Sequence, residues 1–485
     1  MSIARALSNA VSGLAATARG TEIVAANVAN VMTPGYGRRE MTLSAQALGA
    51  TSGGVRVLSI DRVVNAALLG EARLSYAARG EASDLVAFFN SIEDVVGLPG
   101  EAASISTAMT EFRSALISAS ARPDDQLRLS NVAEKALTIA DRLNAASRTL
   151  QEARTAADIS ISNQVERLQN GLERVTELNR QIMSIGPGGR DTSALYDERQ
   201  SIIDQMADIV PLRVIEREAG RVSIFTAEGA VLLDGTRPAS LSFAPAGQFT
   251  PEMQMGAIGV GGLVFNDEEL SGVTLRMFQG GSLGAAFAIR DELAPQLQNE
   301  LDALAYEVID RFADPAVDPT LAFGDPGLFT DAGGPASLAT SIGLAARLAV
   351  NTAILPEQGG HLWRIRSGLN AAISGPVGDS ALIGRLSEAL TTVRGMAGSG
   401  GLDGNHDMSG FFAKFEAVIA TRRISAEADV TLHNTRASNL TERLMAEGVD
   451  TDAEMQRLLQ YEQAYAANAR IIQVIDEMMM TILRV

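Results

Sequence analysis

Residues 3–31 read IARALSNAVSGLAATARGTEIVAANVANV, and this stretch decides the fold. Steps of alternating fours and threes lead along it through Ile3, Leu7, Ala10, Leu14, Thr17, Thr21, Val24, Val28 and Val31. The mean step is that of the heptad repeat, which keeps one apolar stripe on one side of a long supercoiled helix. The sequence therefore predicts an N-terminal helix that has a narrow apolar seam and needs a partner.

The other end of the chain has the same spacing. Its predicted seam consists of Met455, Leu458, Glu462, Tyr465, Ala469, Ile472, Asp476, Met479 and Leu483. Neither helix can bury its seam alone, so we expect the two to pair. Ordering about 60 residues costs roughly what the pairing returns, which predicts terminal segments that are disordered in the monomer and fold against neighbouring subunits. A terminal helix pair closing an ordinary bundle is the alternative.

Composition narrows the function classes. The chain has 485 residues, no cysteine and three histidines, His361, His406 and His433. Disulfides, thiolate metal sites and cysteine nucleophiles are excluded, and we expect no cofactor and no metal. A net charge of -18 argues against nucleic-acid binding, and no apolar stretch reaches the length of a membrane span. Ser8, Asn9, Ser12 and Arg19 interrupt the apolar residues at the start, which predicts no cleaved signal peptide.

The middle of the chain predicts the remaining architecture. Residues 125–185 carry apolar residues at threes and fours, with a stutter at Ile161 and Val165, and predict a helix of roughly 90 Å. A shorter helix is expected over Thr192–Val210, and another from Ser282 to Phe312. Between these two the period changes to two, which predicts a small antiparallel β-region. The residues carrying that pattern are Val214, Val222, Ile224, Val231, Leu232, Leu233, Val264 and Val273 to Phe278.

The last third is predicted as a loop followed by helices. Residues 314–345 are rich in Pro, Gly and Asp, and we expect Phe323, Leu328 and Phe329 to pack this loop onto the body. Helical patterns return at 380–396 and from Met408 to about Glu447. The fold class is thus α+β but mainly α, an elongated bundle of long heptad-patterned helices with one inserted antiparallel β-domain. We expect an inner domain of 1–60 with 448–485, a helical body of 61–210 with 281–447, and an outer β-domain of 211–280.

Two local motifs resemble catalytic or metal sites. Gly280-Gly281-Ser282-Leu283-Gly284 fits the nucleophile elbow of serine hydrolases, but the chain lacks the alternating strands and helices of that fold. Ser282 is therefore interpreted as a helix N-cap. Asp403 to Asp407 begins like a calcium loop, but Met408 and Lys414 stand where glycine and a bidentate acid are required, so a turn before a helix is expected. We likewise interpret Trp363, near His361, as a packing residue. The protein is predicted not to be an enzyme.

A family resemblance enters at the two ends. Ala25 to Asn30, followed by Thr33-Pro34-Gly35-Tyr36 and Arg38, resembles the N-terminal signature of the bacterial flagellar axial proteins, which are the rod, hook and hook-associated proteins. The matching C-terminal signature is Gly448 to Asp450, Glu454-Met455, Leu458, Tyr461, Gln463 to Tyr465, Asn468 to Arg470 and Asp476 to Met478. Ala26 departs from the pattern, in which a second Asn is frequent.

The resemblance implies a structural role, and the long central helix favours the hook-associated class over hook or distal rod. It implies a layer at the hook–filament junction, outside the cell, built by self-assembly into a helical or ring-like layer. Its expected partners are the hook protein, the next hook-associated protein on the filament side and an export chaperone on the C-terminal helix. The predicted assembly interface combines the two seams and the signatures: Ile3, Leu7, Leu14, Val24, Asn27, Val28, Asn30, Val31, Thr33, Pro34, Gly35, Tyr36, Met455, Leu458, Tyr465, Asn468, Ala469, Ile472, Met479 and Leu483.

Overall fold

The structure is a computed structural model that describes residues 3–33, 35–48, 51–185, 192–253, 260–396 and 400–483. Pro34, which the signature includes, lies outside the described residues. The helices are α1 (Ile3–Ala29), α2 (Ala66–Val96), α3 (Ile105–Ala121), α4 (Gln126–Ile185), α5 (Ser193–Ala207), α6 (Gly281–Ala288), α7 (Ala294–Phe312), α8 (Leu344–Arg347), α9 (Arg364–Ser367), α10 (Ala381–Thr391), α11 (Met408–Ala446) and α12 (Thr451–Leu483). None of the helices in these ranges is both long and apolar enough to cross a membrane.

The strands are short apart from the first pair. They are β1 (Arg38–Leu48), β2 (Thr51–Val63), β3 (Leu212–Glu216), β4 (Val222–Thr226), β5 (Val231–Asp234), β6 (Arg237–Pro238), β7 (Leu241–Ser242), β8 (Leu263–Phe265), β9 (Glu268–Leu270), β10 (Phe329–Asp331), β11 (Leu348–Val350), β12 (Arg394–Met396) and β13 (Gly404–His406). Every strand pairing is antiparallel. Long helices with small antiparallel sheets confirm the predicted class, α+β but mainly α.

The predicted helix over 125–185 is confirmed as α4, whose 60 residues span roughly 90 Å. Its apolar stripe is buried along the whole length, from Leu129 through the stutter at Ile161 and Val165 to Ile182. Helices α3, α6 and α7 pack along that stripe, and one contiguous hydrophobic core extends from Phe88 in α2 to Ala426 in α11. The core of the molecule is therefore built around α4.

The predicted β-region between residues 211 and 280 is confirmed as two sheets. One has the order β3-β4-β5-β6, and the other has the order β7-β8-β9. The prediction of a strand at Val273 to Phe278 is wrong, because Val273 is 77% exposed and Leu275–Phe278 forms a 3-10 turn. Only Phe278 is buried in this segment, so the segment lacks the alternating buried and exposed faces of a strand.

The helix predicted from Ser282 is confirmed as α6 and α7, joined by a π-helical turn at Ile289–Leu293. Ser282 as its N-cap is wrong, because Gly280 occupies that position without a side-chain cap. The Ser282 hydroxyl instead donates to Gln164 Oε1 at 2.8 Å. Adjacent left-handed glycines at 280 and 281 start the helix one residue earlier than the motif suggests.

The loop of 314–345 follows the prediction at two of its three anchors. Leu328 and Phe329 are buried, and Phe329 meets Phe112 and Phe312 in an aromatic cluster with centroid distances of 5.8 and 5.4 Å. Phe323 is wrong as an anchor, because it is 99% exposed. It lies next to Gly324, whose left-handed conformation turns the chain at the surface.

Helices α2 and α11 connect the body to the two chain ends. They are antiparallel, since Glu93 pairs with Arg423 at 2.8 Å while Asn65 binds Glu447 at 2.9 Å. Between these contacts Tyr76 hydrogen-bonds to Thr441 at 2.9 Å. Beyond this helix pair lie α1, α12 and the β1–β2 hairpin, which contribute no residue to the main core.

Candidate assembly surface at the paired termini

Helices α1 and α12 pack antiparallel through three contacts spaced one heptad apart. Gly13 faces Asn468 and Gly20 faces Tyr461, while Asn27 hydrogen-bonds to Glu454 at 3.1 Å. Each step advances seven residues on α1 and retreats seven on α12, so the pair follows the heptad geometry predicted for it. The contact line of α12 therefore runs through Glu454, Tyr461, Asn468 and the buried Ile475.

The glycines permit the close approach of the two helices. A methyl group on Gly20 would lie 2.6 Å from the Tyr461 ring, and one on Gly13 would lie 2.8 Å from the Asn468 amide. Contacts that short do not occur between unstrained atoms, so a larger residue at either position would require Tyr461 or Asn468 to move or the helices to separate.

Asn27 joins four segments of the chain and is fully buried. Its amide nitrogen donates to Glu454 Oε2 at 3.1 Å and to the Arg39 carbonyl at 3.0 Å. Its amide oxygen accepts from the Tyr36 hydroxyl at 2.8 Å and from the Arg39 backbone N–H at 3.0 Å. The side chain thereby satisfies its two donors and its acceptor while it ties α1, the turn after it, β1 and α12 together. Two residues of the N-terminal signature, Asn27 and Tyr36, thus have a definite structural role.

A series of ion pairs extends from Glu454, the carboxylate that Asn27 binds, towards the surface. Glu454 is buried, and its other oxygen accepts from Arg457 at 2.8 Å. Arg457 also bridges to Glu40 at 3.0 Å, and Glu40 accepts from Arg38 at 2.8 Å. The buried carboxylate is therefore compensated, as burial of a charge requires. Glu454 belongs to the C-terminal signature, so the two signatures meet in one network.

A second cluster docks the hairpin and turn onto the body. Asp197 of α5 accepts from Arg62 Nε at 2.6 Å, from Arg39 at 3.3 Å and from the Gly37 backbone N–H at 3.0 Å. Arg62 also donates to the Gly35 carbonyl at 3.0 Å. All of these ion-pairing side chains are about 16% exposed, which reduces solvent screening of their attraction.

The β1–β2 hairpin covers another side of α1 and was not predicted. Its backbone meets α1 where the Val55 N–H donates to the Ser12 hydroxyl at 3.1 Å. Gly54 lies so close to Ser12 that no side chain fits there. The signal that could have found the hairpin is the alternation of Val55, Val57 and Ser59 with outward residues, which the heptad pattern before it obscured.

The predicted interface residues of α1 and of the turn after it are mostly half-buried within this unit. Asn27 and Val24 are buried, and Ile3, Leu7, Leu14, Val28, Asn30, Gly35 and Tyr36 are half-buried. Val31 and Thr33 are exposed, because α1 ends at Ala29 and the chain turns away.

The predicted seam of α12 is displaced from the observed contact line. Leu458, Asn468, Ala469 and Ile472 are half-buried, whereas Met455, Tyr465, Met479 and Leu483 are between 43% and 81% exposed. The reason is chemical: three of the four contact-line residues are Glu454, Tyr461 and Asn468, and counting aliphatic side chains selects the neighbouring positions instead. Asn468 was included in the prediction only through the family signature.

This displacement leaves a large apolar surface on α12 with no partner in the described chain. Of its 33 residues only Glu454 and Ile475 are buried. The large apolar side chains that remain exposed are Met455, Leu459, Tyr465, Ile471, Val474, Met478, Met479, Met480, Ile482 and Leu483. Large apolar side chains exposed in this number on one helix indicate an interaction site.

The motifs that resembled chemical sites have structural explanations. Asp407 caps α11 by accepting from the Gly410 N–H at 2.8 Å. The turn expected from Asp403 is wrong, because Gly404–His406 forms strand β13, which pairs with β12 before the helix begins. Trp363 stacks on His361 at a centroid distance of 6.0 Å and is half-buried. Within the described ranges, no group of three or more His, Cys, Asp or Glu residues could hold a metal ion.

Comparison with known families finds matches at both ends of the chain. The family "Flagella basal body rod protein" matches residues 7–36, and "Flagellar basal body rod FlgEFG protein C-terminal" matches 442–485. These are the two segments that Asn27 and Glu454 join. The paired ends thus define a flagellar axial protein.

The middle of the chain specifies the branch. The family "Flagellar hook-associated protein FlgK helical domain" matches residues 87–315, the range that contains α4. The flagellar hook-associated protein 1 of Bacillus subtilis is 23% identical over 98% of this chain and 95% of its own length. Along nearly its whole length the chain is thus similar to flagellar hook-associated protein 1, and it is a structural flagellar protein.

Two further relatives align over part of their length. The flagellar hook-associated protein 1 of Escherichia coli is 24% identical over 63% of this chain and 56% of its own length, and that of Salmonella typhimurium is 23% identical over 63% and 55%. The solved flagellar hook junction protein FlgK of Burkholderia pseudomallei overlaps 54% of this chain and 46% of its own at 20% identity, with a TM-score of 0.43. That overlap is too weak to identify a common fold.

Proposed function

We propose that this chain is a structural subunit of the junction between the flagellar hook and the filament, assembled through its paired terminal helices. The observation that carries the proposal is the unit of α1, α12 and the β1–β2 hairpin. It is held together by the polar network at Asn27 and displays the apolar surface of α12 outward. Exposing apolar side chains to water is unfavourable, and contact with identical neighbouring subunits would remove them from water.

Repetition of one head-to-tail contact builds a helical or ring-like layer, since the two contacting surfaces of each copy differ. The domain division follows from this arrangement. Residues 1–60 and 448–485 would form the inner layer, 61–210 and 281–447 the surrounding helical body, and 211–280 an outward β-domain. The hook protein would lie on one side of the layer, and the next hook-associated protein on the filament side.

The small number of buried residues in α12 supports the proposal that this helix folds on assembly. With only two buried residues, α12 gains little from packing, while ordering each of its residues costs on the order of 1–2 kcal/mol. We therefore expect α12 to open in the isolated subunit and to become ordered against neighbours. The same weakness suits export of an unfolded chain without a cleaved signal peptide, with an export chaperone covering the exposed side chains of α12. In this account the protein works outside the cell and has no enzymatic activity.

A matched set of substitutions in α12 tests the interface. Ile471 and Val474 are 46% and 48% exposed, so Ile471→Asp with Val474→Asp leaves the subunit fold intact but places charge on the outer surface. We expect cells carrying this double variant to secrete the protein, to build complete hooks, and to lose filaments, with flagellin released into the medium. The measurement is electron microscopy of the cells with an assay for secreted flagellin.

Two further variants separate the possible explanations. Gln473→Asp changes an exposed polar residue between the two and should leave filaments normal. Ile475→Asp places a charge at a position only 6% exposed, so it should loosen the α1–α12 pair itself. Normal filaments in the Ile471/Val474 double variant would contradict the interface. Missing hooks in cells lacking residues 455–485 would instead place the protein in the rod or hook.

A further inference from the structure

The turns at one end of the β3-β4-β5-β6 sheet enclose a basic cleft of about 360 Å³. One wall is the β3–β4 turn with Arg217 and Arg221, and the other is the β5–β6 turn with Arg237. Glu218 and Asp234 also line it, so three guanidinium groups face two carboxylates. We call this the basic cleft.

Side chains of α4 and α5 bind the backbone of the two turns that form the basic cleft. Asn179 of α4 is fully buried, and its side chain donates to the Val222 carbonyl at 3.0 Å and to the Gly235 carbonyl at 2.6 Å. Arg199 of α5 donates to the Gly220 carbonyl at 2.6 Å and to Asn179 Oδ1 at 2.9 Å. The β3–β4 turn is therefore fixed to α4 and α5 and the β5–β6 turn to α4, so the fold sets the backbone positions from which the three arginines extend.

The three arginines have no ion-pair partner in the described chain, although acids outnumber bases 58 to 40 in the sequence. Among the hydrogen bonds of the described residues, the Arg217 guanidinium donates only to the Ser223 hydroxyl at 3.1 Å, and the Arg221 guanidinium only to the Glu218 carbonyl at 3.2 Å. Ala219, between them, has a left-handed φ of 57°, a conformation that costs energy in a residue with a side chain. Converging cations and a strained turn at one place point to an anionic partner.

A complementary acidic turn lies between β8 and β9. Asn266 and Asp267 have φ values of 51° and 67°, the geometry of a tight hairpin turn, and Asp267 and Glu268 are exposed. The described residues offer neither carboxylate an ion-pair partner. Asn266 exchanges two backbone-directed hydrogen bonds with Ser240, at 2.9 and 3.0 Å, which fix the turn in place.

We propose that in the assembled protein the basic cleft of one copy binds the Asp267–Glu268 turn of a neighbouring copy. The proposal rests on the self-assembly put forward above. Within one copy the two features do not meet, and each is held in place by its own hydrogen bonds, so closure inside the same chain would break them. Two different complementary surfaces on one molecule are what a head-to-tail contact requires.

Engineered cysteines test this contact directly, because the natural chain contains none. Arg237→Cys and Glu268→Cys are introduced together, and flagellar hook structures are isolated, oxidised and run on a non-reducing gel. Since every copy carries both halves of the contact, we expect a ladder of disulfide-linked multimers. The matched control pairs Glu268→Cys with Arg213→Cys, an exposed position on β3 that does not line the cleft, and should give no ladder.

The outcomes separate the contact from the assembly itself. If the cysteine variant is present in the isolated structures but stays monomeric, or forms a disulfide only within one chain, the proposed contact is wrong. That result leaves the proposed function standing. Absence of the wild-type protein from those structures overturns both. A second variant series avoids cysteines: Arg217→Glu with Arg237→Glu should cause loss of the protein from the structures in a salt wash, and Asp267→Arg with Glu268→Arg in the same chain should restore it. Failure of the restoration also overturns the contact.

Discussion

Replacing Asn27 by alanine removes the side chain on which the two chain ends converge. Four hydrogen bonds are lost, two of them to the backbone of Arg39 and one each to Tyr36 and Glu454. Because Asn27 is fully buried, water does not replace them without opening the unit. At about 1 kcal/mol for each bond, we expect the free energy of opening the terminal unit to fall by roughly 4 kcal/mol.

Hydrogen exchange measured by mass spectrometry on isolated flagellar hook structures that contain the protein, where we expect α12 to be ordered, reports this opening locally. Amides of α12 should exchange on the order of 10³-fold faster in Asn27→Ala than in the wild type, because each 1.4 kcal/mol is a factor of about ten. Amides of α4 should not change, since the terminal unit adds nothing to the main core.

Asn30→Ala is the matched control for this substitution. Asn30 is half-buried, and its amide donates to the Ala26 carbonyl at 2.9 Å and accepts from the Thr33 hydroxyl at 3.2 Å, so its side-chain hydrogen bonds stay local. We expect less than tenfold faster exchange from its loss. Equal protection of α12 in Asn27→Ala and in the wild type would refute the argument that Asn27 joins the chain ends.

Three further predictions concern other contacts of the fold. Gly20→Ala should destabilise the α1–α12 pair by about 1–3 kcal/mol through its clash with Tyr461, and hydrogen exchange of α12 in isolated hook structures measures the change. Gly70→Ala, which meets nothing within 4 Å, should stabilise α2 by about 0.5–1 kcal/mol in urea unfolding. Exchange of α12 in Gly20→Ala equal to that in the wild type would contradict the close approach. Asp197→Ala should release the β1–β2 hairpin, costing about 2 kcal/mol and exposing it to limited proteolysis, and an unchanged digestion pattern would argue against the docking role. Burial raises the pKa of Asp302 from 3.8 to about 6, so the folded state binds the proton more tightly and unfolding free energy falls by ~3 kcal/mol as pH rises from 3.8 through 6. Asp302→Asn should flatten this pH dependence in urea titrations, and an unaltered profile would contradict it.

The elements that could be predicted from the sequence are those in which one chemical pattern repeats. Helix α4 was predicted to within a residue or so at each end, because its apolar side chains recur at threes and fours for 60 residues and a stutter does not interrupt the stripe. The terminal helices followed from the same repeat. The two signatures, read as one family pattern, placed Asn27, Tyr36 and Glu454 among the residues that matter.

The rest depended on contacts between segments far apart in the chain. The contact line of α12 includes Glu454 because the amide of Asn27, 427 residues earlier, donates a buried hydrogen bond to its carboxylate, and no count of apolar side chains detects that contact. Ser282 is not a cap, since the Asp208 carbonyl and Gln164 already bind its hydroxyl. The β1–β2 hairpin lies against α1 through a glycine whose importance is visible only when Ser12 faces it.

By itself the sequence determined the length and period of the helices, the placement of the β-region between them, and the family of the chain, because these depend on side-chain periodicity and local motifs. The tertiary structure alone decided which face of α12 is buried, how Asn27 and Asp197 fasten the terminal unit, and where the basic cleft forms. The physical reason is that burial of a polar or charged group is stable only when its partners arrive from other segments. Which segments meet is a property of the packed chain.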